Sequence, residues 1–286
     1  MVQYTGIYLS VIHATVSRRI MMMDVVRAAL ANRAPLLTSL HGEGTDCYRL
    51  FHGATEGLPG CTLERFGDML LWQTFREPPD LPPEQLLPLL RDLVEEETGV
   101  ALKTVYWNAR QRRQQSREGA IPAPPSVPLR TGHVGSEMGL KYSIGVPAPG
   151  RDANLYLDFR SARRWLRANS QGRTVLNAFA FTCGAGVAAS AGGASKVTNL
   201  DFSQTALDIG RENARLNGLP DDNFECLCGD ALPALRQFAG LPVNTDRRRS
   251  RHPGASRGRG STRGRPSGRG QGSRPLKLRY QQFDVV

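Results

Sequence analysis

The stretch TVLNAFAFTCGAGVAASAGGASKVTNLD, residues 174–201, decides the fold of the chain. Its opening apolar run, which ends at Phe181, predicts a β-strand. The loop at residues 182–186 contains two glycines and leads into a short helix of small residues, which a further pair of glycines ends. A second strand then carries Asp201 directly after its last residue. In a parallel α/β sheet this order brings the loop and the acid together at the carboxyl ends of adjacent strands, where such sheets bind ligands.

The residue types at that edge indicate a nucleoside cofactor. Gly184 and Gly186 let the backbone come close to a ligand that a Cβ atom would repel. The amide groups at the start of the following helix favour a negatively charged group. Asp201 can accept hydrogen bonds from two neighbouring hydroxyl groups, which suits a ribose.

Positive charge is concentrated in one segment of the chain. The 286 residues carry a formal net charge of +11, and twelve basic residues without an acid lie between Arg247 and Arg279. Removing those twelve charges leaves −1 for the remainder of the chain. Residues 243–275 are rich in Arg and Gly and poor in apolar residues, which predicts a disordered insert.

Two interpretations of this basic segment stay open. It can be a solvated insert without a defined partner, or it can neutralise RNA phosphates without sequence preference. We favour RNA contact. Because no Phe, Tyr or Trp lies between Arg247 and Arg279, such contacts would be electrostatic and would position RNA without selecting a base. The candidate RNA-contacting residues are Arg247, Arg248, Arg249, Arg251, Arg257 and Arg259.

Several protein classes are disfavoured by the sequence. The five cysteines contain no CxxC pair, so neither a disulfide framework nor a zinc site is indicated, and no metal is expected. The mildly apolar start at residues 1–16 lacks the basic beginning of a signal peptide. No run approaches the roughly 20 apolar residues of a membrane helix. We expect a soluble protein in the reducing cytoplasm, and the sequence indicates no oligomeric state.

The order of predicted elements divides the chain into three parts. Residues 1–16 form an N-terminal extension without an assigned role. Residues 17–150 predict a small α+β domain, with a helix over residues 17–37 followed by an antiparallel meander. Residues 151–286 predict an α/β, Rossmann-like domain with a parallel sheet. Its first predicted elements are a short strand at 154–158 and a helix at 160–169, and its last is the strand FDVV at 283–286.

Six motifs together resemble a known family, the class I S-adenosylmethionine (SAM) dependent methyltransferases of bacterial large-subunit ribosomal RNA, in particular the cytosine-C5 enzymes and their close relatives. The resemblance extends from about Ser17 to Val286. Its motifs are YRLFHGATEGLPGCTLERFGD at 48–68, NLYLDFR at 154–160, LNAFAFTCGAGVAA at 176–189, VTNLDFS at 197–203, ALDIGRENARLNG at 206–218 and CGDAL at 228–232.

This resemblance implies a SAM cofactor and roles for individual residues. Asp201 would hold the ribose hydroxyls, Phe202 would lie against the adenine, and Asp230 would meet the adenine amino group. Asp158 and Arg160 would lie near the methionyl end. The residues implied to surround the methionine and ribose parts of SAM are Asn177, Phe179, Thr182, Cys183, Gly184 and Gly186.

The resemblance also implies a base methyltransferase that is truncated in two places. The family usually carries an RNA-binding domain ahead of the first helix, and it continues past FDVV into an Asp-Pro-Pro loop and, in the cytosine-C5 enzymes, cysteines that include the nucleophile. Cytosine C5 methylation needs a thiolate that attacks the ring. We therefore expect the 286 residues to bind the cofactor without turning over, and methyl transfer to ribosomal RNA by this chain alone would contradict that expectation.

Two other functions compete with the methyltransferase interpretation, and two of the site residues have simpler alternative roles. Gly184, Gly186 and Ala189 also satisfy the G-x-G-x-x-A pattern of a nicotinamide-dinucleotide oxidoreductase. A non-catalytic RNA-binding or assembly protein with a vestigial pocket is the other rival. We interpret Cys183 as a small residue that lines the pocket rather than as a nucleophile. Asp230 could be only a helix cap.

Overall fold

The computed structural model of the protein describes residues 2–75, 82–110, 132–146 and 152–242. The Arg/Gly-rich segment, its candidate RNA-contacting arginines and the predicted last strand at 283–286 lie outside these described residues. The described helices are α1 Val2–Gly42, α2 Pro83–Thr98, α3 Arg160–Asn169, α4 Gly184–Ala191, α5 Gln204–Leu216 and α6 Ala231–Phe238. The strands are β1 Cys47–His52, β2 Cys61–Phe66, β3 Met69–Thr74, β4 Thr104–Ala109, β5 His133–Glu137, β6 Leu140–Ile144, β7 Thr174–Ala178, β8 Lys196–Asp201 and β9 Phe224–Cys228.

Helix α1 is longer at both ends than the predicted helix at 17–37. It begins at Val2, within the N-terminal extension, and ends at Gly42, beyond the predicted end at residue 37. Gly44 has a φ of +74°, its N–H donates to the His41 carbonyl, and the Thr45 N–H donates to the Leu40 carbonyl. This pattern is a Schellman motif, which satisfies the last carbonyls of a helix. The helix therefore ends just before Gly44, the residue that adopts the left-handed conformation of the motif.

The first sheet has the order β1-β2-β3-β4. Strands β1, β2 and β3 pair antiparallel, which confirms the predicted meander. Strand β4 pairs parallel to β3, and α2 lies between these strands in the sequence. One apolar core lies between this sheet and helices α1 and α2, with Val26, Leu50 and Leu90 fully buried in it.

The second sheet is parallel, with the order β7-β8-β9. Each of its strands is followed by a helix, α4, α5 and α6, so the predicted Rossmann-like arrangement is present. The register pairs Ala178 with Leu200 and Asp201 with Cys228, and the three strands therefore end at one edge.

The predicted strand at 154–158 is wrong. The segment is an irregular loop that leads into a 3-10 turn at Leu157–Phe159. Asn154 has a φ of +70°, which no strand residue adopts. Its carbonyl accepts a hydrogen bond of 2.6 Å from the Thr182 hydroxyl instead of pairing with a strand.

The hairpin of β5 and β6 connects the two sheets. Its turn residues Met138 and Gly139 both have positive φ, as a two-residue hairpin of the I′ type requires. Two of its backbone N–H groups donate to side chains on either side of the hairpin, the Ser136 N–H to Asp46 Oδ1 and the Ser143 N–H to Asn213 Oδ1. Its apolar residues share one core with the parallel sheet. The division of the chain at residue 150 stays a prediction.

Replacing Gly67 tests the contact between the β2–β3 turn and the hairpin. Gly67 has a φ of +62°, and an added Cβ would lie closer than 3.0 Å to the Val134 carbonyl oxygen. Gly57 has a φ of +84° and open space around its Cβ position. We expect Gly57→Ala to lose about 1–2 kcal/mol of unfolding free energy from the backbone conformation alone. Gly67→Ala should lose roughly 1–3 kcal/mol more, because atoms overlap.

Urea denaturation of the two variants and the wild-type protein measures this difference. Equal losses for the two substitutions would show that the hairpin does not pack on Gly67 as the structure has it.

Candidate functional site

A cleft of about 290 Å³ opens at the carboxyl end of β7. One wall is the loop between β7 and α4, and the other is the segment that leads into α3. The predicted residues Asn177, Phe179, Thr182 and Gly184 line it. The remaining lining residues are Asn154, Leu155, Tyr156, Phe159, Arg163, Ala178, Ala180, Phe181 and Ala185.

The loop between β7 and α4 has an unusual backbone. Phe179, Phe181 and Cys183 have φ values of +57°, +50° and +60°, in the left-handed region that non-glycine residues rarely adopt. Such conformations persist only where surrounding contacts impose them. Asp201 supplies one of these contacts, because its Oδ2 accepts a hydrogen bond of 2.8 Å from the Phe181 N–H.

Asp201 lies where the sequence predicted, directly beside the loop. It is 7 % exposed, and its Oδ1 accepts a second hydrogen bond of 2.8 Å from the Ser203 N–H. Each carboxylate oxygen has two lone pairs, so both can still accept a hydroxyl group. Asp201 is thus the anchor of the loop as well as the candidate ribose ligand.

The two glycines of the loop have different roles. A Cβ on Gly184 would meet no atom closer than 3.6 Å, so this glycine leaves room at the cleft. A Cβ on Gly186 would lie closer than 3.0 Å to the Asn199 side chain, and Gly186 does not line the cleft. The contact of Gly186 with a ligand stays a prediction, and the structure gives this glycine a packing role. Its small size lets α4 pack on β8, where Asn199 accepts a hydrogen bond of 2.9 Å from the Asn177 amide.

Cys183 does not line the cleft, contrary to the sequence-based interpretation. Its side chain is fully buried on the far side of the loop, where it packs against Gly210 and hydrogen-bonds with Cys226. That hydrogen bond, together with burial, raises the pKa of the Cys183 thiol far above its usual range. The same hydrogen bond lowers the pKa of Cys226.

Asp158 and Arg160 do not reach the cleft lining either. Asp158 is exposed in the 3-10 turn. Arg160 donates to Glu137 Oε2 over 2.8 Å and to the Cys47 carbonyl, so it joins the segment before the cleft to the hairpin and the first sheet. The neighbouring Arg163, which the sequence analysis missed, does line the cleft. Only its position one turn of helix beyond Arg160 could have indicated this.

The predicted adenine contacts lie at the ends of β8 and β9. The Phe202 side chain is 80 % exposed and the Phe179 side chain 66 % exposed. Asp230 is the N-cap of α6 and accepts a hydrogen bond of 3.2 Å from the Leu232 N–H. Asp230 therefore does cap a helix, which was the simpler role considered for it. Its contact with adenine stays a prediction.

Metal and membrane sites were sought in the part of the chain that the structure describes. No group of three or more His, Cys, Asp or Glu side chains there could hold a metal ion. None of its helices is both long and apolar enough to span a membrane.

Residues 48–234 match the sequence profile of a family described as S-adenosylmethionine-dependent methyltransferase. The chain belongs to this family. Among curated relatives it is similar to ribosomal RNA large subunit methyltransferase I of Aeromonas hydrophila, with 33 % identity over 205 residues that cover 68 % of this chain and 48 % of the relative. The enzyme of the same name from Klebsiella pneumoniae is 30 % identical over 226 residues, which cover 77 % of this chain and 52 % of that protein. The chain spans about half the length of these relatives.

Solved structures confirm the fold of the family. SMU.776, assigned as a methyltransferase and crystallised with S-adenosylhomocysteine (SAH), has a TM-score of 0.61 at 21 % identity, over 78 % of this chain and 55 % of that one. A SAM-dependent methyltransferase from Streptococcus mutans has a TM-score of 0.59 at 21 % identity, over 78 % and 54 % of the two chains. The predicted class I methyltransferase fold and the family's SAM cofactor are confirmed. These matches favour a methyltransferase over the oxidoreductase and the non-catalytic RNA-binding protein.

The different roles of the two glycines can be tested by parallel alanine substitutions. We expect Gly186→Ala to lower the unfolding free energy by roughly 1–3 kcal/mol, because its Cβ would overlap the Asn199 amide. Gly184→Ala should leave stability within about 0.5 kcal/mol or raise it slightly, since the position is helical and roomy. Urea denaturation of both variants gives these values. A stable Gly186→Ala protein would contradict the packing of α4 on β8 described above.

Proposed function

We propose that this protein binds SAM in the cleft at the end of β7 and serves in the methylation of a base of large-subunit ribosomal RNA. The observation that carries the proposal is the anchored loop, with Asp201 below it and the cleft in front of it, in a chain of the SAM-dependent methyltransferase family. The names of the curated relatives support ribosomal RNA as the substrate class.

The positions of the cleft-lining residues and of the neighbouring strand ends indicate the direction in which SAM would lie. Asp201, Phe202 and Asp230 stand at the ends of β8 and β9 and would hold the adenosine part. Asn177, Thr182 and Gly184 lie at the end of β7 and at the start of α4 and would surround the middle of the cofactor. Tyr156, Phe159 and Arg163 form the opposite wall, beside which the methionyl part would lie.

The protein side chains orient the cofactor and exclude water. SAM supplies a methyl group on a positively charged sulfonium sulfur. The rings of Tyr156 and Phe181 lie 5.0 Å apart in the cleft, and aromatic faces attract a cation that lies over them. The left-handed loop presents Phe179 at the cleft, and Phe202 follows the adjacent strand β8; the exposed rings of both residues can cover a purine.

Cofactor titration of the purified protein tests this proposal. We expect SAH to bind and a nicotinamide dinucleotide not to bind. Asp201→Ala should weaken SAH binding by about 100-fold or more, because hydrogen bonds between a carboxylate and ribose hydroxyls are lost and the loop loses its anchor. Isothermal titration calorimetry measures these affinities, and circular dichroism checks that the variant is folded. Absence of SAH binding by the folded wild-type protein would overturn the proposal.

Radiolabelled SAM and unmodified large-subunit ribosomal RNA test the transfer itself. Incorporation of label into the RNA would establish the activity for these 286 residues. The same assay decides the prediction from the sequence that this chain binds the cofactor without turning over.

A cytoplasmic location is part of the proposal and follows from the proposed ribosomal RNA substrate. Contact between RNA and the Arg/Gly-rich segment is a further part of it. The segment's charge supports RNA contact, because each arginine that neutralises a phosphate releases counterions. Replacing Arg247, Arg248 and Arg249 together with glutamine should weaken RNA binding and make it less sensitive to salt. With about 0.7 counterion per single-strand contact, the slope of log affinity against log salt should fall by about 2.

Fluorescence anisotropy with a labelled RNA at several salt concentrations measures this slope. SAH affinity serves as the control and should not change in the triple variant. An unchanged slope would show that these three arginines do not contact RNA phosphates.

A further inference from the structure

Asn213 of α5 joins the loop between β7 and α4 to the hairpin of β5 and β6. Its side chain is completely buried. Nδ2 donates a hydrogen bond of 2.9 Å to the Thr182 carbonyl in the loop, and Oδ1 accepts one of 2.7 Å from the Ser143 N–H in β6. Because both bonds belong to one amide group, the side chain cannot rotate away from the hairpin without also releasing the loop.

Thr182 is the residue through which Asn213 acts on the cleft. It lines the cleft and lies between two residues with left-handed backbones. Asp201 holds the Phe181 N–H just before it, whereas the carbonyl of Thr182 itself is held by Asn213. The Thr182 hydroxyl in turn donates to the Asn154 carbonyl on the opposite wall. A change at Asn213 therefore reaches both walls of the cleft.

Helix α5 packs closely on the loop at the same place. Gly210 lies one turn before Asn213, and a Cβ on it would come closer than 3.0 Å to the Cys183 side chain. Asn217, one turn after Asn213, accepts a hydrogen bond of 2.8 Å from the Lys141 N–H and donates one of 2.7 Å to the Lys141 carbonyl. Within the described residues, none of the hydrogen bonds of Asn217 reaches the loop. The two asparagines thus share the hairpin and differ in the bond to the loop.

We propose that Asn213 is a positioning residue for the cofactor, which holds Thr182 in the conformation that lines the SAM cleft and braces this contact against the hairpin. This inference rests on the proposed function. Without the bond, the strained loop can leave its binding conformation, and the apparent affinity falls with the fraction of molecules that stay competent to bind. The hairpin thereby contributes to SAM affinity although none of residues 133–144 lines the cleft.

Two alanine substitutions on one helix test this role. Asn213→Ala removes the bonds to the loop and to the hairpin, whereas the matched control Asn217→Ala removes side-chain bonds to the hairpin and none to the loop. Isothermal titration calorimetry measures the affinity for SAH, and urea denaturation measures stability. We expect both variants to be less stable than the wild-type protein. SAH affinity should fall about tenfold or more in Asn213→Ala alone, because a buried loop carbonyl loses its donor.

Amide hydrogen exchange in the wild-type protein gives a second test, which decides the question should Asn213→Ala fail to fold. The Ser143 N–H bonds to Asn213, whereas the Ser136 N–H on the other strand of the hairpin bonds to Asp46. A saturating concentration of SAH stabilises only molecules whose loop is in place. We expect SAH to slow exchange of the Ser143 amide about tenfold more than exchange of the Ser136 amide, measured by NMR.

The outcomes separate this role from the proposed function. A folded Asn213→Ala protein with wild-type SAH affinity would overturn the positioning role and leave SAM binding intact. Equal weakening in the two alanine variants would assign the effect to the hairpin rather than to the bond with Thr182, and would also overturn the role. Equal slowing of the Ser143 and Ser136 amides would count against it in the same way. Absence of SAH binding by the folded wild-type protein would overturn the proposed function and this inference together.

Discussion

The arrangement of this protein depends on the ion pairs that the buried carboxylate of Glu137 forms with two arginines. This carboxylate lies at the end of β5 and accepts hydrogen bonds from Arg160 and Arg163 of α3. Arg160 also donates to the Cys47 carbonyl in β1. A single carboxylate thus ties the hairpin to the helix before the parallel sheet and, through Arg160, to the first sheet. Because removing one partner of a buried ion pair leaves an uncompensated charge, these three parts depend on one another.

A second carboxylate, Asp201, fixes the opposite wall of the cleft. Glu137 positions Arg163 through cationic hydrogen bonds, whereas Asp201 holds the left-handed loop through the backbone N–H groups of Phe181 and Ser203. Both walls are therefore set by contacts within the protein. A ligand that enters between them meets donors and acceptors that are already oriented, which lowers the entropic cost of binding.

The sequence predicts those features whose cause is local. The strand, glycine loop, helix and second strand at 174–201 follow from periodicity and turn residues, and Asp201 follows from its place after the strand. The direction of Cys183, the packing role of Gly186 and the place of Arg163 in the cleft wall have distant causes, since they depend on Cys226, Asn199 and Glu137 respectively. The end of α1 could have been predicted at Gly44, where a turn glycine follows the last helical residues.

The positions of the thiols separate cofactor binding from base chemistry. Methylation of cytosine C5 requires a thiolate beside the sulfonium, because attack on the ring makes C5 nucleophilic. All five cysteines lie in the part of the chain that the structure describes, and none of them lines the cleft. Cys183 is the nearest in sequence to the lining residues, yet its side chain is fully buried and packs against Gly210, away from the cleft. Within the described residues, the cleft walls therefore present no thiol to a bound ligand.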